Sequence, residues 1–144
     1  MAAQRTRFEA DKNLAALGFC CLNLVRWADD AMTWVPSTAQ VTQQEIATEN
    51  RLVVHCWATW NATDCVLDEK LQWVREEFRD SATFRSCDVD NPNFIATLRS
   101  WNILNVPALV LLESGRTPLV RYGATSESDL ALLLRERLHS SSPT

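Results

Sequence analysis

The sequence predicts an α/β fold, in which helices cover both faces of a mixed central sheet. Helical and extended patterns follow the order α, β, α, β, α, β, β, α between residues 40 and 139. The stretch "RLVVHCWA" (51–58) is a continuous apolar, β-branched run of the kind found in buried strands. Two later stretches, "PALVLLES" and "PLVRYG", flank a turn at Gly115 and predict a hairpin. A hairpin combined with strands that are separated by helices gives a sheet of mixed strand direction.

A long amphipathic helix is predicted over residues 8–34, ahead of this pattern. Its apolar residues recur at three- and four-residue steps, and Pro36 ends it. The main members of the apolar face are Leu14, Leu17, Cys21, Leu24, Ala28 and Met32. Phe19 falls near the middle of the polar face and Trp27 near its edge. We therefore expect the helix to contact its own domain on one side and another chain on the other, with Phe19 and Trp27 as binding residues.

The elements of the folded domain follow with clear local signals. Thr42 and Glu45 resemble a capping box that opens a short helix, and Pro92 suits the first turn of a later one. The elements after that short helix are a strand over 51–58, a helix over 64–80, a strand over 82–90, a helix over 91–103, the hairpin and a helix over 126–138. The chain is thus divided into an N-terminal helical extension and connection (1–39), a domain (40–139) and a polar tail (140–144).

Charge and hydropathy argue against two classes of function. The 144 residues carry a net charge of −4, and no cluster of Lys and Arg marks a nucleic-acid-binding surface. The long apolar stretch over 14–25 is shorter than the ~20 residues of a membrane span and contains Asn23. We expect no nucleic-acid partner and no membrane span.

The cysteines argue against a metal site and against a secreted disulfide framework. There are five of them, an odd number with no C-x-x-C spacing. They are Cys20, Cys21, Cys56, Cys65 and Cys87. The sequence therefore predicts no metal and no cofactor, and it predicts a soluble protein of a reducing intracellular compartment, either the cytoplasm or the mitochondrion.

Four stretches resemble the thioredoxin family, in the right order and with the right separations. They are "VVHCWATW" (53–60), "CDVDNPN" (87–93), "NVPALVLLESG" (105–115) and "RYGATSESDL" (121–130). The similar part covers roughly residues 40–139, and it implies a thioredoxin-like fold to which an N-terminal helical extension has been added. The family has a cis proline beside its active-site loop, and the resemblance places it at Pro107.

The resemblance also implies that the redox chemistry of the family is lost. That chemistry needs two cysteines spaced C-x-x-C at the start of a helix, the first to attack a substrate disulfide and the second to resolve the mixed disulfide. Alignment from Trp60 without a gap places Asn61 and Asp64 at these two positions. If the loop is one residue longer, Cys65 takes the second position and the first still has no thiol. Either register removes the nucleophile.

Two supporting positions have changed as well. His55 corresponds to the buried acid that the family uses for proton transfer, and Ser86 to the lysine near that acid. His55 is interpreted as a core histidine bonded to a backbone carbonyl in preference to a catalytic residue. Loss of the attacking thiol, the resolving thiol and the proton relay together predicts that no catalytic residue remains.

The other residues of the degenerate loop have open interpretations. The stretch "NATD" (61–64) is typical of a helix N-cap. Cys65 is either a reactive monothiol in the first turn of a helix or a small apolar packing residue. Trp60, Val106 and Pro107 belong to the peptide-binding surface of the family, although Pro107 is equally consistent with a simple turn into a strand.

Two functions of different classes follow from these residues. The first is a non-catalytic adaptor or structural subunit of a larger protein assembly, which binds through its N-terminal helix and, as a second surface, the old peptide-binding site. Six tryptophans in 144 residues favour it, because a monomer rarely exposes so much aromatic surface. The alternative is an enzyme, a monothiol oxidoreductase or redox sensor that uses Cys65. We expect the first.

Overall fold

A four-stranded sheet lies at the centre of the structure, a computed structural model that describes residues 34–139. The strands are β1 (Arg51–Trp57), β2 (Thr83–Asp88), β3 (Ala108–Glu113) and β4 (Leu119–Tyr122). Their spatial order is β2-β1-β3-β4, with β1 parallel to β2, β1 antiparallel to β3, and β3 antiparallel to β4. Gly115 has a φ of +77° in the β3–β4 turn, a conformation that residues with a side chain rarely adopt. The predicted mixed sheet and its hairpin are confirmed.

Four α-helices accompany the sheet in the described part of the chain. They are α1 (Gln43–Thr48), α2 (Ala62–Phe78), α3 (Ile95–Ser100) and α4 (Glu127–His139). The helix predicted over 64–80 begins two residues earlier, at Ala62. The helix predicted over 8–34 lies outside the described residues, apart from Trp34, which is not helical.

The third helix is shorter than predicted. The stretch expected to be helical over 91–103 divides into a 3-10 turn, Pro92–Phe94, and α3. Asn102 adopts a left-handed φ of +58° just beyond α3. The N–H of the next residue, Ile103, then donates to the Leu98 carbonyl at 3.0 Å, which closes the helix.

The capping box at α1 is confirmed. Thr42 Oγ1 accepts from the Glu45 N–H at 3.0 Å, and Glu45 Oε1 accepts from the Thr42 N–H at 3.0 Å. Arg85 on β2 donates from Nε to Glu45 Oε2 at 2.7 Å, which joins α1 to the sheet. Burial raises the pKa of Glu45, but its bonds with Thr42 and Arg85 lower it by more, so the pKa lies below its ordinary value.

Apolar side chains fill both faces of the sheet. One cluster contains Leu52, Val54, Cys56 and Val110 of the strands with Phe94, Leu98 and Trp101 from the α3 side. The other contains Val53, Leu109 and Leu111 with Leu67, Leu71, Val74 and Phe78 of α2 and Leu130, Leu134 and Leu138 of α4. Neighbouring residues of β1 thus point to opposite faces, as in any strand. Because α2 packs along the sheet, its first turn lies beside the carboxyl end of β1.

Candidate functional site

The candidate site lies where β1 ends and α2 begins. Asn61 caps α2, because its Oδ1 accepts from the backbone N–H of Thr63 at 3.1 Å. Its Nδ2 donates to the carbonyl of Val106 at 2.9 Å. The Val106–Pro107 peptide bond is cis, as predicted. The structure therefore brings Asn61, Val106 and Pro107 together at the start of the helix.

Both backbone groups of Val106 already have partners within the chain. The carbonyl accepts from Asn61, and the N–H donates to Oδ1 of Asn105 at 2.9 Å. An extended peptide that paired with Val106 would need the same two groups. Asn105 does not stand out in the sequence, although short amide side chains commonly bond to neighbouring backbone and so give a weak signal.

A buried histidine–carboxylate pair lies next to the capped loop. His55 Nε2 and Asp64 Oδ1 are 3.0 Å apart, and the two side chains are 1% and 0% exposed. The second carboxylate oxygen of Asp64 accepts from the Ala58 N–H at 3.1 Å. Since His55 belongs to β1 and Asp64 to the first turn of α2, the pair joins the strand to the helix.

This pair corrects two expectations from the sequence. The expectation that His55 bonds to a backbone carbonyl is wrong, because its hydrogen-bond partner is the Asp64 carboxylate. Asp64, expected to belong to a helix cap, is committed to His55 and to the Ala58 N–H, and Asn61 alone of "NATD" provides the side-chain cap. The sequence separation of nine residues between His55 and Asp64 gives no sign of this contact.

Aromatic rings surround the pair. The Trp34 ring centroid lies 6.4 Å from that of His55 and 5.1 Å from that of Trp57, the latter at an interplanar angle of 89°. Trp34 itself is 1% exposed, and His55 Nδ1 is buried without a hydrogen-bond partner. In such apolar surroundings the two members of the pair attract each other strongly, and removal of either one lowers the stability of the fold.

Cys65 follows Asp64 in the first turn of α2 and is part of a disulfide bond. The residue is 1% exposed. Its burial is what the packing interpretation expects, and a sulfur in a disulfide bond is not the free thiol of the monothiol interpretation. A lone cysteine in a sequence gives no information on whether another cysteine lies near it in the fold.

Two other cysteines lie in the sheet and are free. Cys56 and Cys87 are Cα partners on the parallel strands β1 and β2, and both are buried. Burial raises the pKa of the Cys87 thiol to about 11 and raises that of Cys56 well above its ordinary value. Both therefore remain protonated at neutral pH, which makes them poor nucleophiles.

Two other predicted residues lie in the described range, and one of them, Ser86, is the Cα partner of His55 on the neighbouring strand β2. Trp60 is 62% exposed, and its Nε1 donates to Asp90 Oδ2 at 3.2 Å. Ser86 is buried in β2, where its Oγ donates to the Thr38 carbonyl at 3.1 Å. Phe19 and Trp27 lie outside the described residues.

Metal binding and membrane insertion have no candidate in the range 34–139. No group of three or more His, Cys, Asp or Glu side chains in that range is arranged to hold a metal ion. Nor does that range contain a helix that is long and apolar enough to cross a bilayer. The polar groups that do converge at the site are bonded to one another.

Comparisons with known proteins agree with this architecture. A family model described as Thioredoxin matches residues 34–136. The crystal structure of chloroplastic thioredoxin z is similar over 75% of this chain and 99% of its own, with 22% identity and a TM-score of 0.60. At that identity the likeness concerns the fold. A comparison with curated proteins finds no match.

Proposed function

The chain belongs to the thioredoxin family, and we propose that it is a non-catalytic member that acts as an adaptor or structural subunit of a larger protein assembly. Its N-terminal segment is the proposed binding element. The proposal follows from what occupies the place where the family carries out its chemistry.

One observation carries the proposal: in the register without a gap, the two positions that correspond to the family's cysteines hold side chains that are fixed by structural hydrogen bonds. Asn61 bonds to Thr63 and Val106, and Asp64 bonds to His55 and Ala58. Neither an amide nor a carboxylate can attack a disulfide or resolve a mixed one. The site thus contributes to the stability of the fold, with no thiol at either place.

The same contacts oppose binding through the old peptide surface. A peptide that reached Val106 would have to compete with Asn61 for the carbonyl and with Asn105 for the N–H. Such an exchange replaces two existing hydrogen bonds with two new ones and gains little. Phe19 and Trp27, on the polar side of the N-terminal pattern, are better candidates for the partner contact.

A disulfide-reduction assay tests the loss of catalysis. We expect the full chain to reduce insulin no faster than the buffer and thiol alone. A matched variant, His55→Asp with Asn61→Cys and Asp64→Cys, restores the residue types of the family and should gain measurable activity. The proposal fails if the unmodified chain is active and Cys65→Ser abolishes that activity.

Quantitative co-purification tests the adaptor role. The tagged full chain should elute with partner subunits at a fixed ratio, and Phe19→Ser combined with Trp27→Ser should lower that ratio at least about tenfold, because aromatic anchors dominate such interfaces. Leu104→Ser is the control, since Leu104 is 86% exposed on the domain itself. Elution as a lone monomer, or equal loss with the control, contradicts the proposal.

A redox role for Cys65 is the second candidate, and its disulfide bond is the observation that favours it. Against catalysis stands its burial, because thiol–disulfide exchange requires a thiolate that a substrate can reach. A reducing intracellular compartment remains a prediction, and there a disulfide persists only transiently. The insulin assay with Cys65→Ser separates this candidate from the first.

A further inference from the structure

Two buried cysteines lie opposite each other on the parallel strands of the sheet. Cys56 on β1 and Cys87 on β2 are Cα partners, and both side chains belong to the apolar cluster on the α3 side. Both are free thiols. We propose that an oxidant joins Cys56 and Cys87 in a reversible disulfide, which makes the pair a redox-sensitive cross-link between the carboxyl ends of β1 and β2.

The register of the two strands meets the geometric requirement for a disulfide. Neighbouring strands lie about 4.7–4.9 Å apart, and disulfides join residues whose Cα atoms are about 4.4–6.8 Å apart. The two side chains also point to the same face of the sheet, since they lie in one cluster. Burial is the main cause of the raised pKa of Cys56, and the charge on Cys87 is the next. The two sulfur atoms are therefore close enough to interact.

The same geometry makes the cross-link labile. The Cβ atoms of a disulfide lie about 3.8 Å apart, whereas strands are spaced at about 4.8 Å. Closure of the bond between Cys56 and Cys87 thus draws the two strands together by about 1 Å. Strained disulfides are more easily reduced, and disulfides of this kind serve in regulation. A thiol reductant therefore reopens the bond.

Burial makes the pair slow to react, and the edge of the sheet provides the side of entry. Burial raises the pKa of Cys87 to about 11, so only about one molecule in ten thousand carries the thiolate at pH 7. β2 is an edge strand, and there the exposed Gln40 side chain hydrogen-bonds to Cys87. Cys56 lies on β1, inside the sheet. A small oxidant therefore reaches Cys87 before Cys56.

A hydroperoxide such as hydrogen peroxide is an oxidant of suitable size. The Cys87 thiolate attacks one peroxide oxygen, the O–O bond breaks, and a sulfenic acid forms while hydroxide leaves and takes up the thiol proton as water. The Cys56 thiol then attacks this sulfur, the S–O bond breaks, and a second water leaves. The two thiols lose two electrons in total, and the peroxide gains them. A dithiol reductant returns both thiols and is itself oxidised to a disulfide.

The cross-link lies next to the loop that carries Trp60. Trp57 and Asp88, the next residue of each strand, are also Cα partners, and the Trp57 carbonyl accepts from the Val89 N–H at 2.9 Å. Trp60 Nε1 donates to Asp90 Oδ2 at 3.2 Å. A shift of about 1 Å at the strand ends is transmitted through these contacts to the exposed indole. The inference does not depend on the adaptor proposal.

Peptide mapping of the full chain tests the bond directly. The chain is treated with hydrogen peroxide at neutral pH, its free thiols are blocked with N-ethylmaleimide in urea, and it is digested with trypsin and an endoprotease that cleaves before Asp. Cleavage at Asp64 separates Cys56 from Cys65. We expect peptide 52–63 joined to peptide 86–87, and we expect both to carry the blocking group when a dithiol reductant is added before the block.

Two controls show that the fold brings the thiols together. Peroxide treatment of the chain in urea should not favour this pair over the other pairs of cysteines. In Cys56→Ala, the same treatment of the folded chain should take Cys87 on to the sulfinic acid, because no thiol is left to resolve its sulfenic acid. The proposal is overturned if the treated, unmodified chain keeps both thiols free, pairs either one with another cysteine, or carries a sulfinic acid at Cys87 beside a free Cys56.

Nuclear magnetic resonance of the unmodified chain tests the effect on the loop. Oxidation should shift the signal of the Trp60 indole N–H, and reduction should return it to its first position. Trp73 is the matched control, because its indole is 70% exposed and lies about three turns along α2 from the loop. If the Trp60 signal shifts no more than that of Trp73, the cross-link does not act on the loop and this part of the proposal is wrong.

Discussion

Replacement of Asp64 with alanine should destabilise the protein strongly, although Asp64 is a charged residue at a helix start. The change leaves two buried donors without their acceptor: His55 Nε2, now 3.0 Å from Asp64 Oδ1, and the Ala58 N–H, now 3.1 Å from Oδ2. Each buried donor left unpaired costs about 1–3 kcal/mol, and loss of one member of a buried pair costs about 3–5 kcal/mol. We therefore expect a loss of about 4 kcal/mol in the free energy of unfolding.

Urea unfolding followed by tryptophan fluorescence measures this loss, since Trp34 and Trp57 lie close to the pair. A loss of that size should also lower the Tm by about 16 °C, at about 4 °C per kcal/mol for a domain of this size. Glu76→Ala is the matched control, because it removes a carboxylate from the same helix. Glu76 is paired with Arg79 at 3.4 Å, but the two side chains are 69% and 72% exposed, and such surface pairs contribute about 0–1 kcal/mol.

The comparison between the two alanine variants tests whether the buried His55–Asp64 pair stabilises the contact between β1 and α2. If Asp64→Ala and Glu76→Ala differ by less than about 1 kcal/mol, the buried pair does not hold β1 to α2 as described. A further variant, His55→Leu with Asp64→Leu, removes both polar members, and it should be less destabilised than Asp64→Ala because no buried ring nitrogen is stranded.

Three further predictions concern the core, a helix cap and a buried thiol. Phe78→Ala should cost about 3–5 kcal/mol in urea unfolding, because Phe78 is 1% exposed and its removal leaves a cavity. Thr42→Ala should lower the free energy of unfolding by about 1 kcal/mol in the same measurement, because it removes the capping box. Leu132→Ala is the reference for a surface change, since Leu132 is 54% exposed. Cys87 should react with iodoacetamide at pH 8 far more slowly in the folded chain than in urea, because only about a thousandth of it is thiolate when its pKa is about 11. The folded-state pKa of Cys87 is raised above the ordinary 9.0, so its contribution to the free energy of unfolding is complete below pH 9 and is lost as the pH rises from 9 to about 11. If Cys87→Ala loses the same amount of stability over this pH range, Cys87 is not the cause.

The sequence predicts those features whose causes are local. The capping box of Thr42 and Glu45 and the turn at Gly115 depend on residues a few positions apart, and the structure has both. The apolar side of α2 follows from helical periodicity in the same way. The stretch over 91–103 fails as one helix because its end depends on a left-handed Asn102, and asparagine adopts that conformation only in some contexts.

The candidate site depends on contacts that periodicity does not contain. Asn61 is predictable as a cap, but its second bond, to the Val106 carbonyl, joins residues 45 positions apart. The pairing of His55 with Asp64 requires that β1 and the first turn of α2 be placed side by side. In each case the residue type is visible in the sequence and its partner is not.

The His55–Asp64 pair also has a consequence for how this sequence can change over time. A cysteine at position 64 would leave the His55 ring without its partner in an apolar interior, and an acid at position 55 would bring a second carboxyl group into the same buried site. Each single replacement therefore lowers the stability of the fold, so the two positions can change together more easily than one at a time. Asn61 adds a third barrier, because its replacement also opens the cap of α2. His55 and Asp64 should therefore be exchanged as a pair more readily than singly, because each is buried with the other as its partner.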